Sequence, residues 1–264
     1  MKVRLDKLVL ERGLAASRER AQALILAGRV LVDGQKVEKA GAAVAAHADI
    51  RLLGEELKYV SRGGLKLEKA LEHWQIDLGG RVCVDVGAST GGFTDCLLRG
   101  GAGRVIAIDT GYGQMAARLR SDPRVRLRER TNARYLKPAD VGEPADLVVV
   151  DVSFISATLV LPAVIRAVRH QPSARREPLD LIVLVKPQFE AGRGKVGKGG
   201  IVRDPEVQQA AVERVRRAVE GLGGREIEVI DSPILGAEGN REFLLHARFD
   251  RGQESDESGG LVMG

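Results

Sequence analysis

From residue 59 onward the chain alternates between two hydrophobic periods. Short, nearly unbroken apolar runs recur near 82–86, 104–108, 124–128, 146–151 and 180–186, each closed by turn residues. That pattern predicts strands buried on both faces of a parallel sheet. Between the runs, apolar residues return every three or four positions, as in Leu65, Leu67, Ala70, Leu71 and Trp74, the spacing of a helix with one core face. Two further strands are predicted near 225–230 and 242–249. The link between them, 232–240, is too short for a helical crossover, so they must pair as a hairpin and the last strand must run antiparallel. The expected fold is a doubly wound, mostly parallel seven-stranded α/β sheet. Arg124, Arg126 and Arg128 alternate with Val125 and Leu127, which predicts an edge strand with a solvated charged face.

Residues 1–53 follow a different rhythm and form a small α+β unit. Leu5, Leu8, Val9 and Leu14 suggest a short helix broken at Gly13. Ser17 can cap a second helix carrying Ala21, Leu24 and Ile25, with Gly28 as its stop. Arg29-Val30-Leu31-Val32, Asp33-Gly34 and Gln35-Lys36-Val37 read as a hairpin. Arg4, Lys7, Arg12, Arg18, Arg20 and Arg29 load the helical part with cations, and by charge alone a solvated helix face is the simpler reading. The order of residues changes that. Arg4-Leu5-Asp6, Ser17-Arg18-x-x-Ala21 and Gly28-Arg29-Val30-x-Val32-Asp33-Gly34 resemble the S4 RNA-binding domain, which implies a module that docks on structured RNA. A hinge at 54–58 separates this unit from the main domain, 59–250, and the polar tail 251–264 is expected to be disordered.

Composition narrows the classes. A net charge of +5 and a pI near 9.3 suit a polyanionic partner without requiring one. Aromatic residues are 3% of the chain, so a broad stacking platform cannot be the main device for RNA. Cys83 and Cys96 allow a single pair, which points to a reducing, cytoplasmic setting. No apolar run approaches the roughly 20 residues of a membrane span, and the polar start does not read as a signal peptide.

The first strand of the main domain runs into a glycine turn, Asp85-Val86-Gly87-Ala88-Ser89-Thr90-Gly91-Gly92-Phe93. The spacing is not Gly-x-Gly-x-x-Gly, so the dinucleotide fingerprint fails. The next strand ends in Asp109-Thr110, where a carboxylate can take the two ribose hydroxyls of a nucleoside. Asp85 before the turn and Asp109 after the next strand favour S-adenosylmethionine over NAD, with Asn132 beyond the third strand as a contact to adenine. Gly192-Arg193-Gly194-Lys195-Val196-Gly197-Lys198-Gly199 has the glycine and lysine spacing of a phosphate-binding loop. It lacks the following Ser/Thr and does not join a strand directly to a helix. A basic loop that folds over RNA through Lys195 fits better than nucleotide hydrolysis, and a bland mobile loop fits as well.

Asp151 and Lys186 end parallel strands, so both face the edge where ligands bind. The antiparallel last strand begins at that edge and brings Glu242. The helix before the first strand begins there too, and brings Lys66. A quartet of two lysines and two carboxylates could be a surface ion network, but each member reaches the functional edge by a separate topological argument. Methyl transfer from a sulfonium is an in-line displacement that needs an aligned, deprotonated nucleophile, and a ribose hydroxyl is too weakly acidic to attack readily without help at neutral pH. Lys186 could serve as its base or orient the oxygen as charge develops, and the sequence leaves both open.

Ser61-Arg62-Gly63-Gly64-x-Lys66, the glycine turn, Asp151-Val152-Ser153-Phe154-Ile155-Ser156, Lys186-Pro187-Gln188-Phe189-Glu190 and Gly239-Asn240-Arg241-Glu242 together resemble the TlyA family of ribosomal RNA methyltransferases. The resemblance covers all but the tail. It implies a Rossmann-like class I methyltransferase with an S4 domain, S-adenosylmethionine as cofactor and no metal. The family's Lys-Asp-Lys-Glu tetrad falls on Lys66, Asp151, Lys186 and Glu242. Implied cofactor contacts are Asp85, Gly87, Ala88, Ser89, Gly91, Gly92, Phe93, Asp109, Thr110, Asn132 and Asp151. Arg4, Lys7, Arg18, Arg20, Arg62 and Lys195 are the expected RNA contacts. The implied reaction is 2′-O-methylation of cytidine in ribosomal RNA or ribosomal subunits. Family members also carry the label haemolysin, so a membrane-active protein stands as an alternative, as does a non-catalytic RNA-binding assembly factor. The sequence does not fix the oligomeric state.

Overall fold

The computed structural model describes residues 2–15, 17–53, 58–169, 178–192, 194–236 and 239–250. Residues 54–57 of the expected hinge at 54–58, the tail from Arg251 and Arg193 of the glycine-rich loop lie outside the described residues. The chain divides into two compact units at the step from Leu57 to Lys58.

The first unit runs β1 (Lys2–Arg4), α1 (Leu5–Glu11), α2 (Arg18–Leu26), β2 (Val30–Val32), β3 (Gln35–Lys36), β4 (Ala43–Ala45) and β5 (Ile50–Leu52). Ser17 caps α2 by accepting the Arg20 N–H at 3.2 Å. Gly28 ends that segment at a φ of +65°. Asp33 and Gly34 take φ of +50° and +80°, the doubly left-handed turn that joins two strands without splaying them. Leu5, Val9, Ala21, Ile25 and Val30 are fully buried and form the core. The short strands β1, β4 and β5 are not legible as runs in the sequence. They are three residues each and gain their stability from pairing, β1 with β4 and β5 with β2.

The second unit runs α3 (Gly63–His73), β6 (Val82–Val86), α4 (Gly92–Arg99), β7 (Arg104–Ile108), α5 (Ala117–Arg120), β8 (Val125–Arg128), α6 (Pro138–Val141), β9 (Leu147–Val150), α7 (Ala157–Arg169), β10 (Leu179–Val185), α8 (Pro187–Glu190), α9 (Pro205–Gly221), β11 (Arg225–Asp231) and β12 (Phe243–Phe249). Its sheet has the order β11-β12-β10-β9-β6-β7-β8. β12 alone runs against the other six strands, as the short link before it requires. One core cluster packs α7 and α9 against Val84, Val148 and Val183; the other packs α3 and α4 against Cys83, Val149 and Ile182. Alternate residues of the same strands thus feed opposite layers. Each fully buried Leu or Ile contributes about 1.5–3 kcal/mol of transfer free energy.

One expectation is corrected. β8 is the sheet edge, but Arg126 and Arg128 are half-buried rather than a solvated face. They donate to the carbonyls of Val141 at 3.0 Å and Ala139 at 3.1 Å, satisfying acceptors that helix α6 leaves open.

Candidate active site

Register builds the rim. Val86 lies level with Val150, and Val150 with Val183, across three adjacent parallel strands. The segments that leave these strands therefore emerge together, and the Asp151 N–H donates to the Val86 carbonyl at 2.9 Å.

At the end of β6, Gly87 adopts φ +89°, and a Cβ there would stand 2.3 Å from the Asp151 carbonyl oxygen. Only glycine fits where the turn crosses the neighbouring loop. Gly91, at φ +96°, is equally closed to a side chain, with Leu119 at 2.4 Å. Asp109 knits the two loops, accepting from the Ser89 N–H at 2.8 Å and the Gly111 N–H at 2.6 Å. Ser89 and Thr110 are exposed and Ala88 is buried. Phe93 is buried too, with its ring 3.6 Å from an ideal Cβ on Gly63, so α4 packs its first turn under the start of α3. Asn132 is exposed and its side chain accepts the Arg134 N–H at 3.0 Å.

Asp85 is fully buried. The Thr94 hydroxyl donates to its Oδ2 at 2.6 Å, while Oδ1 has no hydrogen-bond partner among the described residues. Burial, opposed by Thr94 and reinforced by the Asp151 and Asp109 charges, pushes its carboxyl up to about 7.

The tetrad resolves into two ion pairs. Lys66, in the first turn of α3, meets Glu242 just before β12, and both are buried. Gly236 makes room for this pair, since a Cβ there would stand 2.4 Å from Glu242 Oε1. Lys186 Nζ lies 2.5 Å from Asp151 Oδ1. Among the described residues no ion pair connects the two couples. They form adjacent units, a refinement of the single quartet expected from topology.

Ser153 was not singled out from the sequence. Lys186 Nζ donates to its hydroxyl oxygen at 2.8 Å. The next residue, Phe154, sits at φ +65° and is 93% exposed. An aromatic side chain in the left-handed region is strained, and such strain persists where surrounding structure imposes it. Glu190 holds the chain just beyond Phe154, accepting the Ala157 N–H at 2.7 Å and the Ser156 hydroxyl. The Phe154 ring leans on Phe189 with centroids 5.5 Å apart, and Lys186 Nζ lies 6.0 Å from the Phe189 ring. Asn240 is a second residue that sequence reasoning left unassigned. It accepts the Val202 N–H and donates to the Gly200 carbonyl, both at 2.9 Å, tying the exit of the glycine-rich loop to the approach of β12. Its place inside Gly239-Asn240-Arg241-Glu242, like that of Glu190 at the end of its motif, was the available signal.

The expected RNA contacts fall on both units. In the first, Arg4 and Arg18 converge on Asp6, Lys7 is exposed and Arg20 is half-buried. In the second, Arg62 and Lys195 are exposed. Among the described residues no helix is long and apolar enough to cross a membrane, and no group of three His, Cys, Asp or Glu side chains could hold a metal ion.

Residues 59–249 match the FtsJ-like methyltransferase family, and residues 3–50 match the S4 domain. The chain is 46% identical over 248 residues to the 16S/23S rRNA (cytidine-2′-O)-methyltransferase TlyA of Mycobacterium tuberculosis, covering 94% of this chain and 90% of that protein. The chain belongs to the TlyA family. It is also 41% identical to hemolysin A of Brachyspira hyodysenteriae, covering 92% of this chain and 99% of that protein. A solved structure from Streptococcus thermophilus described as a hemolysin superposes with a TM-score of 0.70 at 40% identity, covering 94% of this chain and 89% of that one. This TlyA-family member is an S-adenosylmethionine-dependent methyltransferase of Rossmann-like fold. The residues fit the cofactor: Asp109 stands at the glycine turn with its carboxylate accepting the Ser89 N–H, and the unpartnered Asp85 Oδ1 is an acceptor suited to a cationic ligand.

Proposed function

We propose that the enzyme methylates a ribose 2′-hydroxyl of ribosomal RNA, on cytidine, with residues 1–53 docking the RNA and residues 59–250 carrying the chemistry. The observation that carries this reading is the setting of Lys186. Its ammonium is held against Asp151 and already donates to a hydroxyl oxygen, that of Ser153. A ribose hydroxyl arriving at the rim can take the place of that oxygen.

S-adenosylmethionine supplies a methyl group activated by its positive sulfur. Asp109 and Thr110 would hold its ribose and Asn132 its adenine. Asp85 and the turn of Gly87, Ala88, Ser89, Gly91, Gly92 and Phe93 would cradle the amino-acid end, with Asp151 beside the reacting centre. Lys186 donates to Ser153 and pairs as a cation with Asp151, which supports an orienting role over that of a base: it aligns the 2′-oxygen and stabilises charge as it shifts in the transition state. Lys66 and Glu242, buried as a neutralised pair, would shape the neighbouring wall and keep water from it. Arg62 and Lys195 would engage the RNA backbone, together with Arg4, Lys7, Arg18 and Arg20 on the other unit. The name of the M. tuberculosis relative supports the choice of cytidine.

Nucleoside mass spectrometry of ribosomal RNA, from cells with and without the protein, tests the reading. A 2′-O-methylcytidine should vanish in the deletion and return with the wild-type chain. A lost methyl group that maps to a base would overturn it.

A further inference from the structure

The S4 unit buries one carboxylate completely and surrounds it with donors. Asp6 is 0% exposed. Arg4 approaches it as a fork, Nε to Oδ1 at 3.1 Å and Nη2 to Oδ2 at 2.9 Å. Arg18 Nε reaches Oδ2 at 3.1 Å, Gln22 Nε2 reaches it at 2.9 Å, and the Lys7 N–H donates to Oδ1 at 2.9 Å. Hydrogen bonds from Arg4 hold the Asp6 carboxyl well below the usual range despite its burial, aided by Gln22 and Arg18.

Neither arginine is consumed by this contact. Their side chains remain 52% and 45% exposed, with N–H groups left to donate outward. Arg4 also lies close to Gly41, where an ideal Cβ would come within 3.2 Å of Nη1, so the guanidinium sits near bare backbone. Two cations brought to one carboxylate would repel each other without it. With it, they form an oriented pair whose rotamers are set before any ligand arrives. Planar forks held in place suit phosphate oxygens, which accept two parallel N–H bonds.

We infer that Asp6 is a positioning residue for RNA recognition, a buried anion that presents Arg4 and Arg18 as a preorganised pair for the phosphates of the RNA backbone. This rests on the reading that the S4 unit docks RNA.

Charge alone and positioning predict opposite signs. Replacing Asp6 by Asn removes a negative charge from a cationic face, which by simple electrostatics should tighten RNA binding. If Asp6 positions the arginines, the same change should weaken it by roughly five- to tenfold, through the cost of ordering two long side chains at the moment of binding. The measurement is the affinity of the full chain for purified small and large ribosomal subunits, titrated separately at fixed salt. Thermal melting and amide spectra monitor the fold. A cycle with Arg4→Lys/Arg18→Lys, which keeps both charges and removes the forks, should show that the Asp6→Asn loss disappears in the lysine background.

Unchanged or tighter binding by folded Asp6→Asn overturns the inference, as does full additivity in the cycle. Should Asp6→Asn fail to fold, the lysine pair decides: at least fivefold weaker binding supports the clamp, and wild-type affinity overturns it. Lys7→Glu/Arg20→Glu tests the underlying reading separately. If that pair leaves affinity untouched, the S4 unit is not the RNA face and the inference falls with it. If that pair weakens binding and Asp6→Asn does not, only the role of Asp6 has failed.

Discussion

Phe243 stands opposite Val185 in the antiparallel pairing of β12 with β10. That register places Glu242 beside Lys186 at the level where both strands meet the rim. A shift of one residue would turn Glu242 to the other face of the sheet and leave Lys66 buried without its carboxylate. The arrangement of the site is thus a property of strand pairing as much as of the side chains.

Lys186→Ala should lower single-turnover methylation by about two to three orders of magnitude, the usual effect of removing a donor aimed at developing charge. S-adenosylmethionine should bind the variant as it binds the wild type. Quenched-flow methylation of ribosomal subunits, paired with calorimetry, checks both halves. Full activity in a folded variant would falsify the assigned role.

Asp109→Ala should cut cofactor affinity roughly tenfold or more, as a charge-assisted hydrogen bond to a ribose hydroxyl is lost, about 1.5–3 kcal/mol. The variant also frees the Ser89 and Gly111 N–H groups, so the glycine turn should exchange its amide protons faster. Calorimetry and hydrogen exchange read the two effects independently.

Asp85 should make the protein less stable as pH rises. Its folded carboxyl titrates near 7, above the ordinary 3.8, so between those values the folded state binds more protons than the unfolded. Stability from this group is therefore full below about pH 4, declines across pH 4–7 and is level above. Asp85→Asn should lack that decline, the gap to wild type growing by at most about 4 kcal/mol. Denaturant titrations of both proteins at pH 5 and pH 8 provide the comparison. Equal pH slopes would count against a buried, proton-binding Asp85.

Phe154→Gly should separate stability from activity. Glycine accepts the positive φ without strain, so unfolding free energy should be unchanged or raised by up to about 1 kcal/mol. The loss of an exposed ring beside the reacting edge should still reduce kcat/KM for RNA by roughly tenfold, in the range of one base–aromatic stack. A variant as active as wild type would place Phe154 outside the substrate path.

Much of the fold was written in local pattern. The runs ending at Val150 and Val185 could only be buried strands, and the short 232–240 link left no topology but a hairpin. Once the strands were ordered, Lys66, Asp151, Lys186 and Glu242 followed from which end of each element they occupy. What remained hidden depends on tertiary partners. Arg126 and Arg128 alternate like solvated edge residues, yet carbonyls from α6 draw them inward, and no period in β8 encodes a helix more than ten residues away. The division of the tetrad into two couples depends on rotamers, and the contact of Ser153 with Lys186 on the path of a loop. Likewise β1, β4 and β5 of the S4 unit are too short to carry a period at all.

β12 also sets an order of events. Among the described strands it comes last in the chain, yet it lies inside the sheet, between β10 and β11. Glu242 finds Lys66 across 176 residues of chain, among the longest separations in the molecule. Such distant contacts form late, because so much chain must be ordered before they are rewarded. The glycine turn after β6 and Asp109 after β7 need no such span, since Ser89 meets Asp109 across only 20 residues. The pairing of Lys66 with Glu242 has no such short route, so that side of the rim is completed only when β12 docks between β10 and β11.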